Sequence, residues 1–472
     1  MIIHGTNICN YQVKRRAFAL IRITKVALVV ALTFCSGCDD LLDIPQPDTE
    51  LIREAVFESD DTALAALAGV YNKLVKSSAF SGGSVSITVT EGVYADELIS
   101  YAISAHPIVP FYLNSVTSTN PTVSGMWSDC YNMIYSANAV IEGLNSPSIS
   151  ADISAQLMGE ALFMRAFLHF YLVNAFGLVP YIRTTDYEAN SKVSRMPVDE
   201  VYNKIIEDLI QAKSYLKDEY PSANRVRVNK GTATAFLARV YLYNHNWENA
   251  EIQATEVIAN SQYELLADVN SVFLKESKET IWQLIPPYGY TNEGSNFILS
   301  APPTKVALKN DLVNTYSTND LRKANWTNSF TSNSGLTTWY YPFKYKVKNV
   351  ADYTEYSVVV RLAEQYLIRA EARAMQNDIS GAQADINTIR NRAGLPNTAA
   401  TTQSQLLEAI VQERQFELFT EWGHRFFDLK RWGKLDEVLG PIKANWDTTD
   451  ALLPIPQSEI LINPNLTQNL GY

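Results

Sequence analysis

The strongest constraint on the fold of this chain is a pattern of small and large side chains that recurs at helical spacing. Leu237, Ala238, Tyr241, Trp247, Ala250, Ala254 and Val257 put small residues where two antiparallel helices must approach, and large ones where the gap beside them must be filled. Ala370, Ile379, Ala382, Ile386 and Ile389 repeat the arrangement, which closes at Pro396. Weaker pairs run over roughly 123–176 and 197–260. One such pair cannot cover both of its apolar faces, so neighbours must stack into a curved solenoid.

These are the offsets of a tetratricopeptide helix–turn–helix. Between 62 and 77, Leu64, Leu67, Ala68, Tyr71 and Leu74 form one apolar stripe. The string 155–176 is apolar almost all round, as in a helix buried on several sides, and Gly177 with Pro180 stops it. Pro197 suits the first position of the next helix, with Asp199 and Glu200 in its first turn and Lys213 and Lys217 in its last. Thr402 with Gln405 reads as a capping box. The expected fold class is therefore mainly all-α. A tetratricopeptide-like helical-pair scaffold at 51–261 and 358–472 is interrupted by an irregular insert at 262–357. In that insert 16 of 96 residues are aromatic, against 11% of the whole chain, so it is built for more than a connection. Residues 80–122 read as a second loop-like segment carrying Tyr94, Tyr101, Phe111 and Tyr112.

At 47% hydrophobic and 19% charged, the composition belongs to a packed globular protein rather than a disordered one. The balance of 39 Lys and Arg against 50 Asp and Glu leaves no basic footprint for nucleic acid. The first 37 residues read as an address. Lys14, Arg15, Arg16, Arg22 and Lys25 precede the apolar run 26–34, and Cys35-Ser36-Gly37 leads into Cys38. This resembles a bacterial lipobox in which Cys38 is acylated, with Cys35 standing where the pattern prefers Leu. Removing 1–37 leaves 34 basic and 50 acidic residues, a formal charge of −16. Residues 38–50, beginning with Asp39 and Asp40 after the Cys, form a tether. Cys130 is then left without a partner, so stability must come from the core.

Six segments in order carry a family resemblance. They are CDDLLDIPQPDTE at 38–50, MWSDCYNMIYSANAVIEGL at 126–144 and GEALFMRAFLHFYLVNAFGLVPYI at 159–182. VVVRLAEQYLIRAEARA at 358–374, ERQFELFTEWGHRFFDLKRWG at 413–433 and PIPQSEILINPNLTQNLGY at 454–472 complete them. The chain resembles the SusD/RagB family of nutrient-binding outer-membrane lipoproteins. Trp422 departs from the smaller or charged residue more usual there. The resemblance implies a protein anchored by lipid in the outer membrane and facing the cell exterior. It also implies that the protein captures an oligosaccharide, or in some members a peptide, and works with a TonB-dependent transporter of the SusC type. A tetratricopeptide scaffold lipoprotein serving outer-membrane assembly is the alternative from another class.

The residues themselves argue against chemistry. Glu413, Glu417 and Glu421 share a helix face, but Arg414, Arg425 and Arg431 lie among them with Asp428 and would keep the carboxylates ionised, unlike a glycosidase acid. His106, His169, His245 and His424 show no metal-ligand spacing, and His169 reads as a satisfied core residue. No cofactor is called for, although calcium held by scattered loop oxygens would leave no signature. A sugar ring presents an apolar C–H face and a rim of hydroxyls, which aromatic platforms and Asp or Asn side chains complement. The candidate ligand-binding residues are Tyr94, Asp96 and Tyr101 in the first loop-like segment, and Tyr288, Tyr290, Trp326, Trp339 and Tyr340 in the insert. Trp282 and Phe343 read as core.

Overall fold

The structure, a computed structural model, describes residues 56–472. The expected signal at 1–37, lipidation site at Cys38 and tether at 38–50 lie outside the described residues. Helix α1 (Asp60–Lys76) starts where the Ser59 hydroxyl accepts the Thr62 N–H, with acids in its first turn and lysines in its last. After a short α2 (Ile87–Tyr94) come α3 (Pro121–Gly143), α4 (Ala151–Phe176), α5 (Val198–Tyr215), α6 (Lys230–Tyr243) and α7 (Trp247–Ile258). Beyond the insert lie α8 (Leu362–Met375), α9 (Ile379–Arg392), α10 (Gln403–Leu418) and α11 (His424–Arg431).

The apolar string at 155–176 is indeed enclosed, since every residue of α4 from Gly159 to Phe176 is buried. Gly177 ends the helix at φ +72°, where a Cβ would meet the Leu452 side chain at 2.8 Å. Two boundaries differ from expectation. Pro197 caps α5 from one position outside it, and the helix ends at Tyr215, short of Lys217. Thr402 caps α10 by accepting the Gln405 N–H, while the Gln405 side chain takes the N–H of Thr401 rather than that of Thr402.

Each helix packs on its sequence neighbours: α4 between α3 and α5, α6 between α5 and α7, and α9 and α10 on α8. Helix α7 also packs directly on α8, although the insert separates them in sequence. Ala250 and Ala254 of α7, and Ala370, Ala372 and Ala374 of α8, are fully buried, which lets such backbones come close. The solenoid therefore runs straight from α7 to α8 and the insert loops out of it.

The insert is more regular than its sequence suggests. The strands are β1 (Leu98–Ser100), β2 (Thr280–Leu284), β3 (Val306–Leu308), β4 (Thr327–Thr331), β5 (Thr338–Pro342) and β6 (Ser357–Arg361). Antiparallel β2 and β6 pair where the insert leaves and rejoins the scaffold, with Leu284 opposite Ser357. The other four form one sheet in the order β1-β3-β5-β4, so the segment after α1 contributes its edge strand to a sheet otherwise made by the insert.

A buried lattice of charge fastens the insert to the solenoid. Arg361 binds Glu279 at 3.0 Å, Glu417 at 2.6 Å and Glu421 at 2.9 Å. Arg392 binds Glu279 and Glu417, and Arg322 binds Asp320, Glu413 and Glu417. Lys344 from the insert pairs with Glu421 and donates to the carbonyls of Glu417 and Phe419. Burial alone would push the Glu417 carboxyl up, but Arg392, Arg361 and Arg322 together hold it well below the usual carboxylate range. The acidic block is thus a structural ion-pair network, as expected, but its partners are not: the interleaved Arg414 binds Asp428 and Arg425 binds Asp96. The glutamates are held by cations from other segments, and Glu421 lies beyond the end of α10 rather than on its face. Glu417→Gln, which keeps the volume and removes the charge, is expected to cost about 3–5 kcal/mol of unfolding free energy in urea titration, because three buried guanidiniums lose their shared counter-ion.

Candidate functional site

The sheet brings together side chains that lie far apart in the sequence. Helix α2 is buried along its whole length, and the chain turns out of it into β1. Leu98 pairs with Leu308, which pairs with Tyr340, so one face of the sheet packs inward. On β5 the next residue, Trp339, sits directly opposite Phe330 of β4, with ring centroids 6.2 Å apart and planes at 26°. Both rings are half-buried. Tyr101, just beyond β1, donates its backbone N–H to the Lys305 carbonyl, and its side chain lies near that of Trp339. Its own ring stays 41% exposed. Half-buried Tyr112 lies near Tyr101.

A second cluster forms at the turn 288–290. Tyr288 is 62% exposed and its ring stacks near that of Tyr290 at 6.0 Å. Gly289 makes the turn possible at φ +78°, since a Cβ there would strike the Tyr353 ring at 2.8 Å. The Gly289 carbonyl accepts the N–H groups of Asp352 and Tyr353, which brings the exposed Tyr353 ring beside the pair.

Of the residues singled out in the sequence, Tyr101, Trp339, Tyr288 and Tyr290 lie on accessible surface, and two do not. Tyr94 is fully buried against Phe111, Phe426 and Trp446, because α2 is enclosed on all sides. Trp326 is likewise fully buried; its indole N–H donates to the Val269 carbonyl at 2.8 Å, and Lys344, Arg361 and Arg392 surround its ring. Its polar neighbours in KANWTNSF suggested a surface position, yet it ends a short helix whose last turn faces the ion lattice. Tyr340 belongs to the inward face of the sheet and is half-buried against the core. Asp96 spends its carboxylate on a bidentate pair with Arg425, at 2.8 and 2.7 Å, so it anchors the segment rather than meeting a sugar hydroxyl. Trp282 is core as expected, whereas Phe343 is only half-buried. His169 is the satisfied core histidine anticipated, its Nδ1 bonded to the Arg165 carbonyl and its Nε2 accepting from Ile182. Phe330 and Tyr353 were not singled out, and Tyr112 was named only among the aromatics of the segment 80–122. Phe330 had a readable signal, since SNSGL between two short alternating strings marks a hairpin that sets it opposite Trp339.

Two wider clefts open on the scaffold. One of about 480 Å³ includes Trp247 and Trp432, and one of about 380 Å³ includes Trp127, Tyr131, Tyr135 and Tyr187. Several of these rings already spend their polar atoms internally, Trp432 on Glu371 and Tyr131 on the Pro180 carbonyl. Among the described residues no group of His, Cys, Asp and Glu could hold a metal ion, and no helix is long and apolar enough to cross a membrane.

The architecture is a mainly helical, tetratricopeptide-like scaffold carrying a looped-out sheet. A family model described as "Starch-binding associating with outer membrane" matches residues 60–242, and the SusD family model matches residues 236–472. The chain belongs to the SusD/RagB family. It is 29% identical over 518 residues to SusD-like protein P2 of Formosa agariphila, covering 95% of this chain and 99% of that one. A SusD superfamily structure from Bacteroides vulgatus superposes with a TM-score of 0.79 at 21% identity, covering 88% of this chain and all of that one. A structure described as a laminarin-binding SusD-like protein superposes at 0.74 with 24% identity, over 88% of this chain and 100% of that one.

Beside the platform, Glu97 is buried and accepts the Thr420 N–H, leaving its other oxygen unpartnered. Burial first, and then the charge of Asp96, push its carboxyl up to about 8. A carboxyl raised on folding holds its proton more tightly in the native state, so stability falls as pH climbs from the ordinary carboxylate range towards 8. Glu97→Gln is expected to leave thermal stability unchanged near pH 4 and to raise it by roughly 1–3 kcal/mol near pH 8, in melts followed by circular dichroism.

Proposed function

We propose that the protein captures an oligosaccharide on the outer aromatic face of its sheet and delivers it, uncleaved, to a TonB-dependent transporter of the SusC type, while a lipid on Cys38 holds it to the outer surface of the outer membrane. The observation that carries the reading is the cross-strand pair of Trp339 and Phe330 with Tyr101 close beside it. These are flat rings from two remote segments, fixed in place before any ligand arrives. Such rings cover the C–H face of a pyranose with little loss of side-chain entropy, and an open sheet lets a polymer run past both ends. The family model's description and the laminarin-binding neighbour support a glycan over a peptide. Capture without chemistry agrees with the acidic block around the end of α10, whose carboxylates are locked in ion pairs, those of Glu417 and Glu421 held below the usual carboxylate range.

Affinity electrophoresis across a panel of polysaccharides, with reducing-end analysis of the same mixtures, tests this. Retardation without released ends is expected; newly released ends, or no retardation on any polymer, would overturn it. Trp339→Ala should weaken binding by about 1–3 kcal/mol with the melting temperature unchanged. Trp326→Ala should instead cost roughly 3–5 kcal/mol of stability, since it empties a core site. Cys38→Ala should move the protein from the membrane fraction to the soluble one with ligand binding intact.

A further inference from the structure

The aromatic platform sits among lysines that have no counter-ion, on a chain whose formal charge is −11. Lys305 lies across from Tyr101 at the edge of β1 and gives its ammonium to the Asn296 amide oxygen at 3.0 Å. Lys309 is half-buried one residue beyond Leu308, which brings it beside Trp339, and its backbone N–H is bonded to the Glu97 carbonyl at 2.9 Å. Lys443 reaches in from the C-terminal segment. Its ammonium is 4.8 Å from the centroid of the Tyr112 ring and donates to the carbonyls of Val93 and Tyr112.

None of the three has a carboxylate partner among the described residues. The neighbouring Asp96 is occupied by Arg425, and Glu97 is buried and turned to Thr420. An ammonium has three donors, and those of Lys443 meet only two carbonyls. Burial pulls the Lys443 amine down to about 7 and the charge of Lys309 adds to that, while Asp96 offsets only part of it. A largely buried cation with a like charge nearby, whose nearest acid, Asp96, is already shared with Arg425, is costly unless something outside the chain supplies more negative charge.

We infer that the glycan captured on this platform is anionic, and that its ring carboxylate or sulfate ester is received by Lys443 and Lys309, with Lys305 at the rim, while its sugar faces lie on Trp339 and Tyr101. The inference rests on the glycan-capture reading above. A single anion between the two lysines would supply the third acceptor for Lys443 and relieve the repulsion between it and Lys309. The rings would then select sugar shape and the lysines would select charge.

The test compares polygalacturonate and a sulfated galactan with the carboxyl-reduced, uncharged form of the first polymer. Wild-type protein, Lys443→Met and the double variant Lys305→Gln/Lys309→Gln are run in affinity gels, and their folding is checked by thermal melts. At least one anionic polymer should retard the wild type, and which one does so distinguishes carboxylate from sulfate. The uncharged polymer should retard it roughly tenfold or more weakly, and both variants should lose a similar factor on the anionic polymer. Binding should also weaken in 1 M salt, where the screening length is about 3 Å. Because the double variant changes only partly exposed residues, it keeps the test open if Lys443→Met unfolds. Equal retardation by the uncharged polymer, or anionic binding undiminished in a folded variant, overturns the anionic assignment and leaves glycan capture standing. No retardation on any polymer overturns both.

Discussion

Glu417 has no water to share its charge with, so three arginines from three parts of the chain must do so. Arg322 comes from the insert, Arg361 from the point where the insert rejoins the solenoid, and Arg392 from α9. Removing any one leaves a buried charge exposed to low dielectric, and this makes the lattice all-or-none. A solenoid of helical pairs has no intrinsic means of holding a ninety-residue excursion against its side. Here the means is electrostatic, with Trp326 as the apolar floor beneath the cations. The orientation of the sheet, and so of its rings, depends on this contact.

The division between legible and illegible features follows the physics of each. Helices could be read because burial against a neighbour imposes a 3.6-residue period, and α4 could be read as enclosed because that period disappears into continuous apolarity. The structural role of the α10 carboxylates was legible from the arginines around them, but their partners were not, since Arg322, Arg361 and Arg392 come from other segments and the neighbouring Arg414 binds Asp428 instead. The insert was not, since its strands are three to five residues long and its partners come from distant segments. Whether an aromatic there faces outward depends on register. Trp339 and Tyr340 are adjacent in sequence and fall on opposite faces, and nothing in either residue's neighbours says which. Trp326 was misplaced for the same reason, as local polarity reported its flanks and not its own direction.

The proposed binding surface is separated from the fold's main source of stability. The apolar core lies in the stacked helices, while the aromatic surface lies on a sheet that takes one strand from the segment after α1 and three from the insert. The Asp96–Arg425 pair and the Glu97–Thr420 contact connect β1 back to α11 and the turn before it, so the edge strand is tied to the scaffold by polar contacts as the rest of the sheet is by the ion lattice. Rings held in this way are already oriented before a ligand reaches them, which lowers the entropy lost on capture.

The pairing of β2 with β6 has a consequence for how such proteins diversify. The two strands bring the ends of the excursion to within one hydrogen-bond ladder of each other, so everything between them behaves as a cassette with fixed terminals. New lengths and new aromatic layouts can be installed between those terminals without disturbing the register of any solenoid helix. One inherited frame can thereby be refitted for polymers of quite different shape.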